Sequence, residues 1–124
     1  MSKILVCGDR HWTDQRAVYS ALVDEVMLLG AGETLVVIEG EAPGADTEGR
    51  IAAQHLGLEV IAVPADWKKY GRAAGPIRNI AMLDLKPDKV LVFHSNLWNS
   101  KGTRHCVEQA EKRGIPVRVI TNIP

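Results

Sequence analysis

The chain has 124 residues, of which 46% are hydrophobic and 24% charged, and its 15 basic residues balance 15 acidic ones. This length predicts one domain over residues 1–124, and a net charge of zero argues against a protein that coats nucleic acid. No apolar run approaches the roughly 20 residues that span a bilayer, and the first apolar run is too short for a signal peptide. We therefore expect a cytoplasmic protein that has neither a membrane nor a nucleic acid as its partner.

Short continuous apolar runs alternate along the chain with segments that carry apolar residues at helical spacing. The apolar runs predict buried strands at residues 4–7, 35–38, 58–63, 89–93 and 115–120. The segments between them predict helices: one capped by Thr13 or Asp14 and ended by residues 30–32, one from Asp46 or Thr47 to Gly57, one over residues 77–85, and one from Thr103 to Arg113.

This alternation of strands and helices predicts an α/β fold. Neighbouring parallel strands need crossover connections, and such crossovers are right-handed almost without exception. The sequence therefore predicts a single Rossmann-like, doubly wound domain with a parallel sheet of about five strands and helices on both faces.

The residues with unusual chemistry follow the first four predicted strands. Residues 8–10, 40–46, 66–79 and 99–103 hold most of the glycine-flanked polar side chains, whereas the opposite connections are short turns. Ligands of doubly wound folds bind beyond the carboxyl ends of the strands, so this pattern predicts a ligand site at one edge of the sheet. We expect residues 66–76 to form a functional loop, because a strand–helix connection usually takes about two to six residues.

Two of these segments place small residues at a predicted helix start, where free N–H groups and the helix dipole favour an anion. The first consists of Gly44, Ala45 and Asp46, and the second of Gly102 and Thr103. Taken singly, each pattern is more typical of a turn followed by a helix cap. Two such starts at one edge shift the interpretation toward phosphate binding.

Basic and aromatic side chains lie in the same segments. Arg10, Arg72 and Arg78 could clamp a phosphate or carboxylate through paired hydrogen bonds, although surface salt bridges are the usual role of an arginine. Trp67 and Tyr70 could stack on a nucleobase, although a loop tryptophan more often anchors packing.

Two aspartates are the candidates for catalysis. Asp46 and Asp66 could hold ribose hydroxyls or act as acid and base, and either could instead cap a helix. The four histidines show no metal-ligand spacing, and Cys7 and Cys106 are typical of buried free thiols, so we predict no metal site and assign no cofactor. The dinucleotide fingerprint and the Walker motif are missing, which argues against a conventional NAD dehydrogenase or ATPase.

Several of these segments together resemble one protein family. Residues 6–10 (VCGDR), 40–46 (GEAPGAD), 65–67 (ADW) and 71–79 (GRAAGPIRN), with Met82, are similar to the YspA-type (cpYpsA-related) branch of the SLOG superfamily. Members of this branch are small proteins of bacteria and phages. The superfamily also includes the LOG-type phosphoribohydrolases, the molybdenum-cofactor carrier proteins and DprA. The resemblance implies a Rossmann-like fold with a pocket for a nucleotide or nucleotide derivative.

The resemblance and the loop chemistry together define the expected ligand-binding residues. They are Gly8, Asp9, Arg10, Gly40, Gly44, Ala45, Asp46, Asp66, Trp67, Arg72, Gly75, Arg78, Asn79, Gly102 and Thr103. The chain departs from the LOG enzymes in three places. Asn79 replaces the lysine of their Arg-Lys pair, and Asn99 and Ser100 replace the glycine pair of their Pro-Gly-Gly-x-Gly-Thr loop. The glutamate that closely follows this loop is missing after Thr103. The resemblance therefore implies a phosphate cradle, and Asp46 or Asp66 would have to replace the missing acid.

These observations lead to three hypotheses about function. The first is a binding module that senses, carries or scavenges a phosphorylated nucleotide or nucleotide derivative. The alternative is a phosphoribohydrolase-like enzyme that cleaves an N-glycosidic bond, with Asp46 and Asp66 near the ribose. A weaker alternative is a DprA-like DNA-associated protein, against which the zero net charge speaks. We also consider a homodimer, because relatives often form one.

Overall fold

The computed structural model of the chain describes residues 1–96 and 99–121. Its strands are β1 (Ser2–Gly8), β2 (Leu35–Glu39), β3 (Glu59–Ala62), β4 (Lys89–Phe93) and β5 (Val117–Ile120). Its helices are α1 (Gln15–Met27), α2 (Ala45–His55), α3 (Trp67–Tyr70), α4 (Ala74–Asp84) and α5 (Lys101–Lys112), and a 3₁₀ turn at Gly71–Ala73 joins α3 to α4. No helix within the described ranges is long and apolar enough to cross a membrane.

The five strands form one parallel sheet in the order β3-β2-β1-β4-β5. The chain runs outward from β1 through β2 and β3, and then crosses to the other side of β1 for β4 and β5. The strand order reverses between β1 and β4, and the carboxyl ends of these strands form the crevice where doubly wound folds bind ligands. The predicted Rossmann-like, doubly wound fold is confirmed.

Hydrophobic clusters fill both faces of the sheet. Because successive side chains of a strand point to opposite faces, Leu5 belongs to the cluster that contains Met82 and Leu83 of α4, whereas Val6 belongs to the cluster that contains Leu22 of α1. These side chains are at most 1% exposed. Burial of one such side chain stabilises a fold by about 1.5–3 kcal/mol, so the two clusters hold the helices on the sheet.

Residues 66–76, which we expected to be a loop, are largely helical. Asp66 accepts a hydrogen bond from the Lys69 N–H at 3.1 Å and thereby caps α3. The following helix begins at Ala74, earlier than predicted. Pro76 is compatible with this start, because the N–H groups of a first helical turn have no intrahelical partner. The expected loop was wrong because these two local features favour helix.

The other elements begin close to their predicted positions. Asp14 caps α1 by accepting a hydrogen bond from the Ala17 N–H at 3.1 Å. That helix ends before residues 30–32, which were expected to stop it. Helix α2 begins one residue before Asp46, because Gly44, with a φ of +76°, serves as its N-cap.

Candidate functional site

A cleft of about 590 Å³ opens beyond the carboxyl ends of β1 and β4. Small-molecule sites typically measure about 300–1,000 Å³. In chain order, the residues that line the cleft are Cys7, Gly8, Asp9, Arg10, His11, Ala42, Asp46, Trp67, Arg78, Asn79, Met82, His94, Ser95, Asn96, Asn99, Ser100, Lys101, Gly102, Thr103 and Cys106.

The cleft contains most of the residues that the sequence predicted for a ligand site. Those that line it are Gly8, Asp9, Arg10, Asp46, Trp67, Arg78, Asn79, Gly102 and Thr103. The predicted residues that lie outside its wall are Gly40, Gly44, Ala45, Asp66, Arg72 and Gly75. Direct contact of any of them with a ligand stays a prediction, but the geometry separates residues at the cleft from residues behind it.

Gly44 and Ala45 bring the β2–α2 connection against the β1–α1 connection. A Cβ on Gly44 would overlap the backbone of Asp9 and Arg10, and the positive φ of Gly44 also favours glycine. Ala45 donates its N–H to Asp9 O at 3.0 Å. The first N–H of α2 is thereby occupied, unlike the free anion-binding start that the sequence predicted. Both residues therefore support the cleft without lining it.

Asp46 is buried in the wall of the cleft, with 5% of its surface exposed. Its Oδ2 accepts hydrogen bonds from the N–H groups of Gly40 at 3.0 Å and Ala42 at 3.2 Å. Burial raises the pKa of Asp46 to about 6, although these hydrogen bonds and the nearby Arg78 act in the opposite direction. Asp46 therefore holds the β2–α2 connection in place, and its carboxyl can exchange a proton near neutral pH.

Asp66, the second predicted catalytic aspartate, lies outside the cleft. It is exposed, and its carboxylate caps α3. Arg72 is likewise exposed, on the 3₁₀ turn that follows α3. Because capping commits Asp66 to the start of α3, the structure does not bring it together with Asp46 as an acid–base pair.

Trp67 forms one side of the cleft, although 60% of its surface is exposed. Its ring lies over the first turn of α4, where a Cβ on Gly75 would be 3.5 Å from the ring carbon Cη2. Tyr70 is 41% exposed and does not line the cleft. The structure therefore separates two aromatic residues that the sequence grouped, and it assigns Trp67 to the site.

Arg78 and Asn79 connect three segments around the cleft. Arg78 donates from Nη1 to Gly40 O at 2.6 Å and from Nε to Asn79 Oδ1 at 3.1 Å. Asn79 is 4% exposed, and its Nδ2 donates to Gly102 O at 3.1 Å and lies 3.3 Å from His105 Nδ1. The polar atoms of Asn79 are therefore engaged in joining α4 to α5. Arg78 has five N–H donors, and these contacts use two of them.

The start of α5 closes the cleft on the β4 side. Ser100 caps this helix, and its Oγ accepts a hydrogen bond from the Thr103 N–H at 3.4 Å. Thr103 Oγ1 donates to Gly8 O at 3.1 Å, which seats the first turn of α5 on the end of β1. Lys101 and Gly102 line the cleft at this turn, where a helix has N–H groups without intrahelical partners. This arrangement suits an anion.

Sequence reasoning did not select His94 and Lys101, which also line the cleft. Lys101 opens α5, where a positive charge opposes the helix dipole unless an anion is close. His94 directly follows β4 and is 6% exposed. The available signal was position: Lys101 lies within residues 99–103, which were already associated with a ligand site, and His94 directly follows the fourth strand.

Two thiols lie in the wall of the cleft. Cys7 and Cys106 are 6% and 1% exposed and are free, as predicted. A hydrogen bond to Cys106 and burial raise the pKa of the Cys7 thiol well above its ordinary value, so its reactive thiolate form is disfavoured at neutral pH. Within residues 1–96 and 99–121, no group of three or more His, Cys, Asp or Glu side chains is placed to hold a metal ion.

The fold and the position of the cleft define a Rossmann-like α/β protein with a cavity at the switch point of its sheet. The chain matches the family model described as "YspA, cpYpsA-related SLOG family" over residues 2–70, and it belongs to this family. It is 40% identical over 122 residues to the Gene 61 protein of Mycobacterium phage D29, with 94% of each chain covered. The predicted resemblance is confirmed, and it supports a nucleotide-related function at a coarse level.

A solved structure with a similar fold is that of DNA processing protein A (DprA) from Streptococcus pneumoniae. The TM-score is 0.70 and the sequence identity is 23%, with 98% of this chain covered. The match covers 50% of the DprA chain, so this chain spans about half the length of that protein. At this level of identity, the likeness shows the shared fold.

Proposed function

We propose that the protein binds a phosphorylated nucleotide or nucleotide derivative in the switch-point cleft, as a sensor, carrier or scavenger. The observation that carries the proposal is the meeting of three cationic side chains, Arg10, Arg78 and Lys101, at one cleft with the start of α5. The carboxylates among the described lining residues are Asp9 and Asp46, so positive charge prevails. Family membership points in the same direction.

The phosphate is expected at the start of α5. A Cβ on Gly102 would meet no atom of residues 1–96 and 99–121 within 4 Å, so these residues leave the backbone at this turn open to a ligand. Lys101 adds a positive charge there, and a phosphate would offset its unfavourable position in the helix dipole. Arg78 adds a guanidinium group, of whose N–H donors two are used in contacts among the described residues.

The base is expected at Trp67. Its exposed ring is supported from one side by the first turn of α4, which leaves another side for stacking. Stacking of a base on an aromatic side chain contributes about 1–3 kcal/mol and accepts any base, because every base has a π face. Trp67 therefore supports binding of a nucleotide without fixing which base it carries.

A thermal-unfolding screen with matched ligands tests the proposal. AMP, ADP-ribose, NAD and cyclic ADP-ribose are compared with adenosine, which lacks a phosphate. A ligand that binds the folded state at about 100 times its Kd stabilises it by about 2.7 kcal/mol, so at least one phosphorylated ligand should raise Tm more than adenosine does. Failure of every phosphorylated ligand to raise Tm contradicts the proposal.

Arg10 and Arg72 provide a matched pair of variants, because both are exposed and the sequence predicted both as ligand contacts. Arg10 lines the cleft and Arg72 does not. Arg10→Ala should weaken binding of the best phosphorylated ligand by about tenfold or more, whereas Arg72→Ala should leave its Kd unchanged. Isothermal titration calorimetry measures both, and equal losses would contradict the assignment of the ligand to the cleft.

Cleavage of an N-glycosidic bond is the second candidate, and the observation that favours it is the buried Asp46 carboxyl, with a pKa of about 6, in the cleft wall. Asp9 is the other carboxylate at the cleft, while Asp66 lies elsewhere. Chromatography of nucleotides incubated with the protein separates the candidates. Release of free base that Asp46→Asn abolishes supports the enzyme, and binding without base release supports the binding module.

A further inference from the structure

His94 lies where the ends of β1 and β4 meet. Its N–H continues the sheet by donating to Ile120 O at 3.0 Å, and the carbonyl of Phe93 accepts the Asp9 N–H at 2.8 Å. A Cβ on Gly8 would overlap the Phe93 backbone, so the two strand ends approach closely. The His94 side chain is 6% exposed and lines the cleft. It therefore occupies the crevice at the switch point.

The hydrogen bonding of His94 determines which ring nitrogen carries the proton. Asn96 donates its backbone N–H to His94 Nδ1 at 2.9 Å. Nδ1 is therefore an acceptor, and in the neutral ring the proton lies on Nε2. Within residues 1–96 and 99–121, this Nε2–H has no hydrogen-bond partner. The His94 ring lines the cleft, so a ligand bound there is an available partner for this donor.

Two further features that line the same cleft are donors. Lys101 carries a positive charge, and the first turn of α5 presents backbone N–H groups. The His94 Nε2–H, the Lys101 ammonium group and these backbone N–H groups can each donate a hydrogen bond to a ligand. A buried donor without a partner is unfavourable, so the group that fits this part of the cleft is one rich in acceptor oxygens.

We propose that His94 is a specificity-determining residue, whose Nε2–H donates to an oxygen of a phosphoryl group held by Lys101 and the start of α5. This inference rests on the proposed nucleotide-binding function. A phosphoryl oxygen satisfies the His94 donor and the Lys101 charge together, whereas the hydroxyl of an unphosphorylated nucleoside leaves the charge without a partner. His94 therefore contributes to the preference for a phosphorylated ligand over its nucleoside.

A purely structural role for His94 is the competing explanation, because its Nδ1 also holds the turn at Asn96. Two substitutions separate the roles. In His94→Asn, the side-chain Oδ1 takes the place of Nδ1 and can still accept the Asn96 N–H, but the cleft donor is lost. In His94→Gln, the amide N–H groups take the place of Nε2–H, but the acceptor for Asn96 is lost.

Calorimetry with AMP, ADP-ribose, inorganic phosphate and adenosine tests the inference on the wild type and both variants. His94→Asn should weaken the best phosphorylated probe by about tenfold or more and leave adenosine unchanged, while His94→Gln should stay within about threefold of the wild type. Wild-type affinity in His94→Asn overturns the inference. So does a loss in His94→Gln equal to that in His94→Asn, because the turn would then explain both.

The outcome also distinguishes this inference from the proposed function. If AMP and ADP-ribose bind the wild type and His94→Asn equally, the inference about His94 alone fails. If no nucleotide binds but phosphate does and His94→Asn abolishes it, the nucleotide proposal fails and the His94 donor stands. If no probe binds, both fail. If His94→Gln does not fold, the ¹⁵N NMR signal of the Nε2–H group of wild-type His94 is measured instead. An unchanged signal at saturating AMP overturns the inference.

Discussion

The side chains around the cleft divide into those that hold the site together and those that stay available to a ligand. Asn79 and Thr103 use their polar atoms on neighbouring residues and the backbone. Arg10, Lys101 and Trp67 make no side-chain hydrogen bond within the described residues, although all three line the cleft. Substitution of an available side chain should therefore change affinity with little effect on stability, whereas substitution of Asn79 or Thr103 should change both.

Trp67 and Tyr70 give the sharpest test of this division at the level of single residues. Trp67→Ala should weaken binding of AMP by about 1–3 kcal/mol, because it removes the stacking surface, and should leave Tm of the free protein nearly unchanged. Tyr70→Ala is the matched control, since Tyr70 is a partly exposed neighbour whose ring contacts the Lys69 ammonium group at 5.1 Å and lies outside the cleft. Calorimetry measures both Kd values, and equal losses argue against stacking on Trp67.

Helices α2 and α5 both begin beyond the carboxyl end of a strand, yet their environments differ. The start of α2 is packed against β1 and its neighbouring connection: the Ala45 N–H is bonded to Asp9 O, and a Cβ on Gly49 would lie 2.7 Å from Val6 Cγ1. The described part of the chain leaves the start of α5 open, because a Cβ on Gly102 meets none of its atoms within 4 Å. We therefore interpret α2 as scaffold and α5 as the helix that presents its N-terminus to a ligand.

Two helical glycines test this contrast between elements. Gly49→Ala should lower the free energy of unfolding by about 1–3 kcal/mol, because the added methyl overpacks the contact with Val6. Gly102→Ala should keep or raise it, by up to about 1 kcal/mol, because alanine favours helix and the site is open. Urea unfolding measures both changes.

The same pair has a second readout in ligand affinity. The methyl of Gly102→Ala would enter the space expected for the phosphate, so AMP binding should weaken even though the protein is not destabilised. In Gly49→Ala, AMP affinity should be retained wherever the protein is folded. Undiminished AMP binding by Gly102→Ala would argue that the phosphate lies away from the start of α5.

The sequence predicted the sheet and the edge at which the cleft opens. Strands buried on both faces appear as continuous apolar runs, so β1, β2 and β4 were found within one or two residues. The helical path of residues 66–76 was missed, because it depends on one capping carboxylate, Asp66, and on a proline tolerated in a first turn. Such short-range hydrogen bonds leave a weak signal in the pattern of apolar residues.

Local sequence patterns could not separate the predicted residues that line the cleft from those that lie outside its wall. Gly44 precedes α2 and Gly102 lies in the first turn of α5, so the two glycines look alike in the sequence. Long-range packing places Gly44 against Asp9, whereas a Cβ on Gly102 would meet no described atom within 4 Å. Likewise, Asp46 and Asp66 both follow a strand, and tertiary burial distinguishes the first from the second. The hydrogen bond of the Ala45 N–H and the burial of the Asp46 carboxylate are properties of the assembled fold.

Asp46 links the cleft to the stability of the whole protein through pH. Its pKa is about 6 in the folded protein against an ordinary value of 3.8, so the folded state holds its proton more tightly than the unfolded chain. The stabilising effect of that proton is fully present below about pH 4 and is lost as pH rises through about 6. The difference corresponds to roughly 3 kcal/mol. Burial also raises the pKa of Glu39, which acts in the same direction.

Asp46→Asn isolates this contribution, because its side chain cannot titrate while its Oδ1 can still accept the N–H groups of Gly40 and Ala42. The free energy of unfolding of the wild type minus that of the variant should fall by roughly 3 kcal/mol between about pH 4 and about pH 7. Urea unfolding at a series of pH values measures this difference. Parallel pH profiles would show that the Asp46 carboxyl does not hold its proton more tightly in the folded state, and would remove the main reason to consider it as an acid in the cleft.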